Sequence, residues 1–164
     1  MDSIDLEILE ILQKDATIST ADLAQKVGLS TTPCWRRIQL LEQGGYITGR
    51  VALVDRKKVN VPVDVFVSIK TNQHQINWID KFRSAVSDMP EVVEVYRMSG
   101  DVDYLMRIVV PDMQAYDEFY KRLVSRVELS DVSSSFAMES MKYTTALPLN
   151  FIDTGEGAKR KPRR

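Results

Sequence analysis

Apolar residues in the first third of the chain follow the spacing of three short helices. The first helix is predicted over residues 3–14, because its apolar positions lie three or four residues apart. These positions are Ile4, Ile8, Ile11 and Leu12. A second helix is predicted from Thr20 to Val27, with Ser19 as its N-cap and Gly28 just beyond its end. The short connections between the segments are typical of a compact helical unit.

A third helix is predicted to begin after Ser30, its N-cap, and to end near Gln43, before two glycines. At about 100° per residue, Cys34, Ile38 and Leu41 fall on one face, which we expect to be buried. A short glycine-containing turn joins this helix to the second one. This arrangement is typical of a helix-turn-helix, in which the last helix enters the major groove of DNA.

The opposite face of the third helix carries candidate DNA contacts. Thr32 and Arg36 are the candidate base readers, because an arginine fork matches guanine O6 and N7 and a threonine methyl can contact thymine. Gln39 is a third candidate on the same face. Trp35 and Arg37 lie on its two shoulders and are predicted to contact the sugar-phosphate backbone. The alternative is that these residues only form a solvated helix surface.

The segment after the third helix, residues 44–54, alternates and turns like a short β-hairpin. It is predicted to form the wing of a winged helix, from which Arg50 would contact a backbone phosphate. The DNA-binding domain is therefore predicted over residues 1–54. Residues 55–62, DRKKVNVP, mix charge, Asn and Pro and are predicted to be a linker.

After residue 62 the pattern alternates between strands and helices. Strands are predicted where every second residue is apolar, and helices where apolar residues lie three or four apart. The predicted strands lie at 63–71, 91–98, 102–110 and 132–143, and the predicted helices at 76–86 and after Asp112. The inner faces of the two helices are predicted to carry Ile76, Ile79, Phe82 and Val86, and Met113, Tyr116, Tyr120, Leu123 and Val127. This βαββαβ order is that of a ferredoxin-like domain, predicted over residues 63–147, so the fold class is α+β.

A ferredoxin-like sheet carries helices on one face only, and apolar residues occupy both faces of these strands. Phe66 lies opposite the valines of its strand, while Leu105 and Val109 lie opposite Tyr104 and Ile108. A second copy of the chain would bury this outward face, so we expect a homo-oligomer. A two-fold dimer would also present two recognition helices to two half-sites of DNA.

Composition fits a packed globular protein, but the charge is unevenly distributed. The 164 residues are 44% hydrophobic and carry a formal net charge of −1. Residues 1–61 contain eight basic and eight acidic residues, residues 62–150 nine and thirteen, and residues 151–164 five and two. The segment 148–164, which ends in GAKRKPRR, is predicted to be a disordered basic tail. Such a tail either stays solvated or is attracted to phosphates.

Few residues are suited to catalysis or metal binding. With one cysteine, Cys34, and one histidine, His74, the chain can form neither an internal disulfide nor a two-thiol metal site. His74 is expected at the surface and Cys34 in the core, so no cofactor and no enzymatic activity are expected. The start MDSIDLEILEIL is more acidic than a signal peptide, and no stretch has the length of a membrane span. A cytoplasmic protein with no membrane partner is therefore expected.

The predicted turn SGDVDYL offers chemistry suited to a free amino acid. Asp101 and Asp103 could accept an ammonium group, while nearby backbone N–H groups could bind a carboxylate. The alternative is that both are ordinary turn residues, since Asp favours hairpin corners. The run SSS, Ser133 to Ser135, adds hydroxyl groups in the last strand.

Two long stretches resemble the Lrp/AsnC (feast/famine) family of transcriptional regulators. IDLEILEILQKDATISTADLAQKVGLSTTPCWRRIQLLEQGGYI is similar to the family's DNA-binding half, and MPEVVEVYRMSGDVDYLMRIVVPDM to its ligand-responsive RAM half. DMQAYDEFYKRLV and LSDVSSSFAMESMKYTTALP further resemble the DecR-type branch, whose members respond to cysteine. The resemblance covers about residues 2 to 147 and leaves out the basic tail.

The resemblance implies a winged-helix domain, a RAM domain, and dimers that assemble into tetramers or octamers. Its implied DNA contacts run from Ser30 and Thr31 through Gln39. Its implied amino-acid effector lies between subunits near the hairpin turn, at Met98, Gly100, Asp101, Asp103, Tyr104, Leu105, Ser133, Ser134 and Ser135. The expected function is that of a sequence-specific regulator of amino-acid metabolism that binds double-stranded DNA. Two alternatives are an amino-acid-binding regulatory subunit that does not bind DNA and an enzyme on the ferredoxin-like scaffold.

Overall fold

A computed structural model describes residues 1–72 and 76–152 of the chain. These residues divide into two units, each with its own core. The N-terminal unit consists of Met1–Ala52 together with the segment that begins at Lys142, and the sheet unit consists of Leu53–Met141. His74 and residues 153–164 lie outside the described residues, so the predictions about them are not tested.

Three helices form the N-terminal unit, as the apolar spacing predicts: α1 (Ser3–Leu12), α2 (Thr20–Lys26) and α3 (Thr31–Gln43). Asp2 caps α1 by accepting the Asp5 backbone N–H at 2.9 Å, and the Asp5 side chain accepts the Asp2 N–H in return. Ser19 caps α2, and Gly28 has the left-handed φ of +69° that favours glycine after a helix. Ser30 occupies the N-cap position of α3, but its side chain accepts no capping bond there.

The core of the N-terminal unit contains the predicted face of α3. Cys34, Ile38 and Leu41 are buried and pack with Ile8 of α1 and Leu23 of α2. Because a 3.6-residue period places these three α3 residues on one side, the polar positions between them must face outward. Burial raises the pKa of the Cys34 thiol, consistent with an apolar packing role.

The predicted wing hairpin is wrong, because residues 44–62, all of them described, contain no strand. The backbone N–H groups of Tyr46 and Ile47 turn back to the carbonyl of Leu41, and the next apolar residues pair with no neighbouring segment. Val51, Leu53 and Val54 are all largely exposed, and a two-stranded hairpin without a packed face is not stable in water.

The predicted linker, residues 55–62, is an ordered turn that belongs to the sheet unit. The backbone carbonyl of Asp55 accepts the N–H groups of Lys58 and Val59. Arg56 then pairs with the carboxylate of Asp64 and donates to the carbonyl of Pro62 at 2.8 Å. These bonds fix the turn to the start of the first strand.

The sheet unit has the predicted βαββαβ order. Its elements are β1 (Val63–Lys70), α4 (Ile76–Ser87), β2 (Val92–Arg97), β3 (Tyr104–Val110), α5 (Met113–Arg126) and β4 (Asp131–Phe136). The strands form one antiparallel sheet in the order β2-β3-β1-β4. Asp112 caps α5, as predicted, through the Ala115 N–H at 2.9 Å. No helix of the described residues is long and apolar enough to cross a membrane.

β4 ends at Phe136, earlier than predicted. Phe136 pairs with Val65, only two residues from the start of β1, so the chain has almost no strand left to pair with. Ala137 makes one last backbone bond to the carbonyl of Asp64, and Met138 and Met141 are then almost fully exposed.

The core of the sheet unit lies between the sheet and the two helices. Phe119 and Trp78 fill the helix side of this core, and the Trp78 indole donates to the carbonyl of Glu128 at 2.9 Å. The predicted inner positions Ile76 and Met113 are instead 75% and 61% exposed. Each of them is the first residue of its helix, and at that position the side chain lies outside the core.

The chain returns to the N-terminal unit after the sheet. The Gln13 side chain accepts the Leu147 backbone N–H at 2.6 Å and donates to the Leu147 carbonyl at 3.3 Å. Leu149 begins a 3-10 helix, Leu149–Phe151, and packs against the core of the three helices. Part of the tail predicted to be disordered, residues 148–152, therefore has a defined structure.

Candidate nucleic-acid interface and effector site

The outward face of α3 is open to solvent. Thr31, Thr32 and Arg36 are exposed, and Trp35 is 52% exposed beside them. Arg36 makes no hydrogen bond or ion pair with any residue of the described ranges. Thr32 and Arg36 are four positions apart, so they lie one turn apart on the same face. The structure thus presents the two predicted base readers together, while their contact with DNA stays a prediction.

Gln39 and Arg50 are joined through a carboxylate. The Gln39 amide donates to Glu42 at 2.9 Å, and Arg50 forms an ion pair with the same carboxylate at 2.9 Å. Because both Arg50 and Glu42 are well exposed, this pair contributes little to stability, and the phosphate contact of Arg50 stays a prediction. Arg50 therefore lies next to the end of α3, in an irregular segment rather than on a wing.

Arg37, which is predicted to contact a phosphate, pairs with two carboxylates at the start of α1, and its contact with DNA stays a prediction. Its Nη1 lies 2.7 Å from Oδ2 of Asp2 and 2.7 Å from Oδ1 of Asp5, which joins α3 to the capped end of α1. Hydrogen bonds to Asp5 and then to Asp2 raise the pKa of Arg37. The Asp5 backbone N–H, with help from Arg37, lowers the pKa of Asp2. The sequence offers no signal for these pairs, because the partners are more than thirty positions apart.

The turn between β2 and β3 is tied to the end of β1. The Asp103 carboxylate accepts the Thr71 backbone N–H at 2.8 Å, and the Asp103 N–H donates to the carbonyl of Ile69 at 2.9 Å. Met98 closes the turn by donating its N–H to the Asp103 carbonyl at 2.8 Å. Gly100 has a φ of +127°, which side-chain-bearing residues rarely adopt. Asp103 therefore has the turn-stabilising role that is one of the two readings the sequence leaves open.

Asp101 and Lys70 form an exposed ion pair at the same end of the sheet. Their charged atoms lie 3.0 Å apart, and the Asp101 side chain is 89% exposed. The hydrogen bond to Asp101 raises the pKa of Lys70. Ser130, in the turn before β4, donates its hydroxyl to the Lys70 carbonyl at 2.7 Å. The ammonium group of Lys70 and the carboxylates of Asp101 and Asp103 thus lie at the same end of the sheet.

The predicted effector residues divide between the two faces of the sheet. Tyr104 faces the helices and packs against Phe82 and Trp78, and the hydroxyl of Ser134 is hydrogen-bonded to Tyr116 on that side. Both side chains are therefore directed away from a ligand on the open face. Leu105, Ser133 and Ser135 face the other way, and Met98 is 40% exposed near the turn.

A charge network crosses the open face of the sheet. Arg107 lies between Asp64, at 3.1 Å, and Glu94, at 2.7 Å, and Arg56 pairs with the same Asp64. The two arginines and the two carboxylates of this network balance one another in charge beside the apolar side chain of Phe66. The prediction from the sequence missed this network, although an arginine in the alternating apolar strand β3 was a visible signal for it.

No group of three or more potential metal ligands occurs in the described ranges. Cys34, the single thiol of the chain, is buried. The described side chains of the two sites can form hydrogen bonds and ion pairs.

Two family models together match 132 of the 164 residues, 48 in the first match and 84 in the second. Residues 1–48 match a winged helix-turn-helix DNA-binding domain, and residues 64–147 match the Lrp/AsnC ligand binding domain. The DNA-binding transcriptional activator DecR of Escherichia coli is 52% identical over 150 residues, covering 91% of this chain and 99% of the relative. The similarity to the DecR-type branch that the motifs indicate is thus confirmed.

Two solved structures share the fold over almost their whole length. An AsnC family transcriptional regulator from Agrobacterium tumefaciens is 62% identical, with a TM-score of 0.90, covering 93% of this chain and 99% of that one. A transcriptional regulator from Neisseria meningitidis, solved as a complex with L-Met, is 32% identical, with a TM-score of 0.88, covering 92% and 97%. Domain matches, identity and fold all agree: the chain is a member of the Lrp/AsnC family of DNA-binding transcriptional regulators.

Proposed function

We propose that this chain regulates transcription of genes of amino-acid metabolism by reading double-stranded DNA through α3. The observation that carries the proposal is the exposed guanidinium of Arg36, which has no partner among the described residues and lies one turn from Thr32, opposite the buried face of α3. Arg36 would bind the edge of a guanine, and Thr32 would contact a thymine methyl. Ser30, Thr31 and Trp35 flank them and would position the helix on the sugar-phosphate backbone.

We propose that the working form is a homodimer, assembled further into tetramers or octamers. Support comes from the open face of the sheet, where Phe66 is 39% exposed and Leu105 and Val109 are half-buried. The Asp64–Arg107–Glu94 network leaves little unpaired charge beside them. A second copy can therefore cover this face without burying an isolated charge.

We propose that a free amino acid binds at the β2–β3 turn, at an interface between subunits. Asp101 and Asp103 would hold its ammonium group, while Lys70 and backbone N–H groups of the turn would hold its carboxylate. The solved relative from Neisseria meningitidis holds L-Met, which supports this class of ligand. The similarity to DecR makes cysteine the first effector to test. Binding would shift the balance between oligomers and so change the spacing of the DNA-reading helices.

Titration of the full-length protein with cysteine, methionine, leucine and glutamate tests this proposal. We expect one of them to change the affinity for DNA about 5- to 150-fold, the usual range of allosteric coupling, and to change the particle mass. No change in either quantity with any of them would rule out the effector part. Genome-wide capture of DNA fragments with and without an amino-acid pool would identify the operator. Absence of duplex binding would favour the alternative of a regulatory subunit that does not bind DNA.

A cytoplasmic location and the absence of catalytic activity belong to the same proposal. Binding a duplex and a free amino acid requires access to both, and neither step breaks a covalent bond. Turnover of an amino acid that disappears in an Asp101→Ala or Asp103→Ala variant would contradict it.

A further inference from the structure

We propose that Leu40 is a further sequence-reading residue of α3 and that it contacts the methyl group of a thymine. The inference rests on the proposed DNA-binding function, because it adds a contact to the same helix and the same duplex. Its ligand is the apolar edge of a thymine in the major groove, about three to four base pairs from the contact of Thr32. Leu40 therefore adds to the sequence specificity of the chain.

Leu40 is an apolar side chain that the N-terminal unit leaves in water. It is 65% exposed, although it lies well inside α3, and it is not among the side chains that form the described core of this unit. The next residue, Leu41, is buried in that core together with Cys34 and Ile38. The packing of the three helices thus leaves the side chain of Leu40 accessible to a ligand.

Leu40 continues the line of the two proposed base readers. Thr32, Arg36 and Leu40 are spaced four positions apart, so they follow one another along the outward side of α3 at about 6 Å per step. All three side chains are exposed. The line is about 12 Å long, which corresponds to about three to four base pairs of a duplex. A helix that places Thr32 and Arg36 against base edges therefore carries Leu40 towards base pairs further along the same site.

A groove of about 530 Å³ lies beside this part of α3. Arg36 and Leu40 both line the groove, and Tyr46, which is 57% exposed, forms part of its wall. The ring of Tyr46 lies against the end of the helix, where a Cβ atom at Gly44 would be 3.1 Å from two of the ring carbons. The backbone N–H of Tyr46 donates to the carbonyl of Leu41 at 2.9 Å. Ordered backbone therefore bounds the groove on both sides.

The side chains of the groove favour a DNA duplex as its occupant. Arg37, at the side of α1, is held by Asp2 and Asp5. Arg36 lines the same groove and has no partner among the described residues. A duplex offers both phosphates and base edges for a guanidinium and methyl groups for a leucine. A protein segment seated in the groove would cover Arg36 together with Leu40, so it would exclude DNA from the proposed reading face.

The test removes single methyl groups from the DNA. A duplex is selected by the wild-type full-length protein from a random pool, and each thymine is then replaced in turn by deoxyuridine, which pairs with adenine but lacks the methyl group. The affinity of the wild type should fall about fourfold for each methyl group that is buried against an apolar side chain. We expect one such position for Thr32 and another for Leu40, about three to four base pairs apart.

Two variants assign these positions to side chains. Leu40→Ala should lose the sensitivity at one position and keep it at the other. Thr32→Ser, which removes the methyl group and keeps the hydroxyl, should show the reverse pattern. Leu40→Met is the matched control, because it keeps an apolar side chain of similar volume and should remain sensitive at both positions. Since Leu40 is exposed, all of its variants should unfold at the temperature of the wild type.

The outcomes separate this inference from the proposed function. If the wild-type protein binds no duplex, the proposed function fails and this inference fails with it. If the wild type binds but shows no second methyl-sensitive position, or if Leu40→Ala keeps every sensitivity, only this inference is overturned. A lower particle mass of Leu40→Ala with unchanged methyl sensitivity would also overturn it and would assign Leu40 to a contact between copies of the chain.

Discussion

Arg36 and Arg37 are adjacent in sequence, but their side chains have different surroundings in the structure. Arg37 holds Asp2 and Asp5 and is 30% exposed, whereas Arg36 is exposed and unpaired within the described residues. We therefore expect Arg37→Ala to lower the stability of the N-terminal unit and leave DNA recognition intact. Arg36→Ala should have the reverse effect.

The magnitudes follow from burial and geometry. Each partly exposed ion pair of Arg37 contributes up to about 1 kcal/mol, and its removal leaves the more buried Asp5 without its cation, so we expect a total of about 1–2 kcal/mol. For a unit of this size each kcal/mol corresponds to about 4–8 °C in the melting temperature. Removal of an arginine that reads a guanine costs about 1–3 kcal/mol of discrimination, or about 5- to 150-fold in affinity for the preferred site. Arg36→Ala should change stability by less than about 0.5 kcal/mol.

Two measurements on each variant check this prediction: thermal unfolding followed by circular dichroism, and binding to the preferred and an unrelated duplex at fixed salt. Arg36→Lys is a matched control that keeps the charge but not the two-pronged geometry, and it should lose discrimination while retaining most non-specific affinity. The reasoning is refuted if Arg37→Ala loses site preference at unchanged stability while Arg36→Ala binds like the wild type.

Three further predictions concern the sheet unit and the capped end of α1. Phe66→Asp should lower the particle mass in light scattering, because it places an unpaired charge on the open face; a retained mass would exclude this face as the interface. Asp101→Ala should weaken the amino-acid response at least about tenfold, a cost of about 1.4 kcal/mol in binding, with little change in melting temperature, since its ion pair with Lys70 is highly exposed. An unaltered titration would contradict the assigned ammonium contact. Asp2 has a lowered pKa, so its contribution to stability is present above its unfolded pKa and disappears as the pH falls through the folded value. Acid unfolding of Asp2→Asn should therefore show a weaker dependence on pH below about pH 4 than the wild type, and identical curves would argue against this role.

The periodic features of the chain are predictable from the sequence, and its long-range contacts are not. The buried face of α3 follows from the spacing of Cys34, Ile38 and Leu41 alone, because helical geometry fixes which residues share a side. The length of β4 depends on where β1 begins, and the wing hairpin fails to form in residues 44–54 because no packed face supports it. Both the length of β4 and the absence of strands in residues 44–54 depend on contacts with other parts of the chain.

In the two candidate sites, too, periodic features are predictable from the sequence and long-range contacts are not. The helical wheel identifies Thr32 and Arg36, and the glycine and aspartates identify the β2–β3 turn. The pairing of Arg37 with α1 requires two helices to meet, and the opposite orientations of Ser133 and Ser134 depend on the register with β1. Successive side chains on a strand point to opposite faces of the sheet, but only the register shows which of them faces the helices.

The backbone passes between the two units twice, leaving the N-terminal unit after Ala52 and rejoining it at Lys142. A single protease cut after Ala52 would therefore yield a nicked protein rather than two separate domains. The larger fragment would still hold Leu147 against Gln13 and Leu149 against the three-helix core of the smaller one. Co-purification of the two fragments is thus the expected behaviour, and a DNA-binding fragment truncated at this point would lack a piece of its own core.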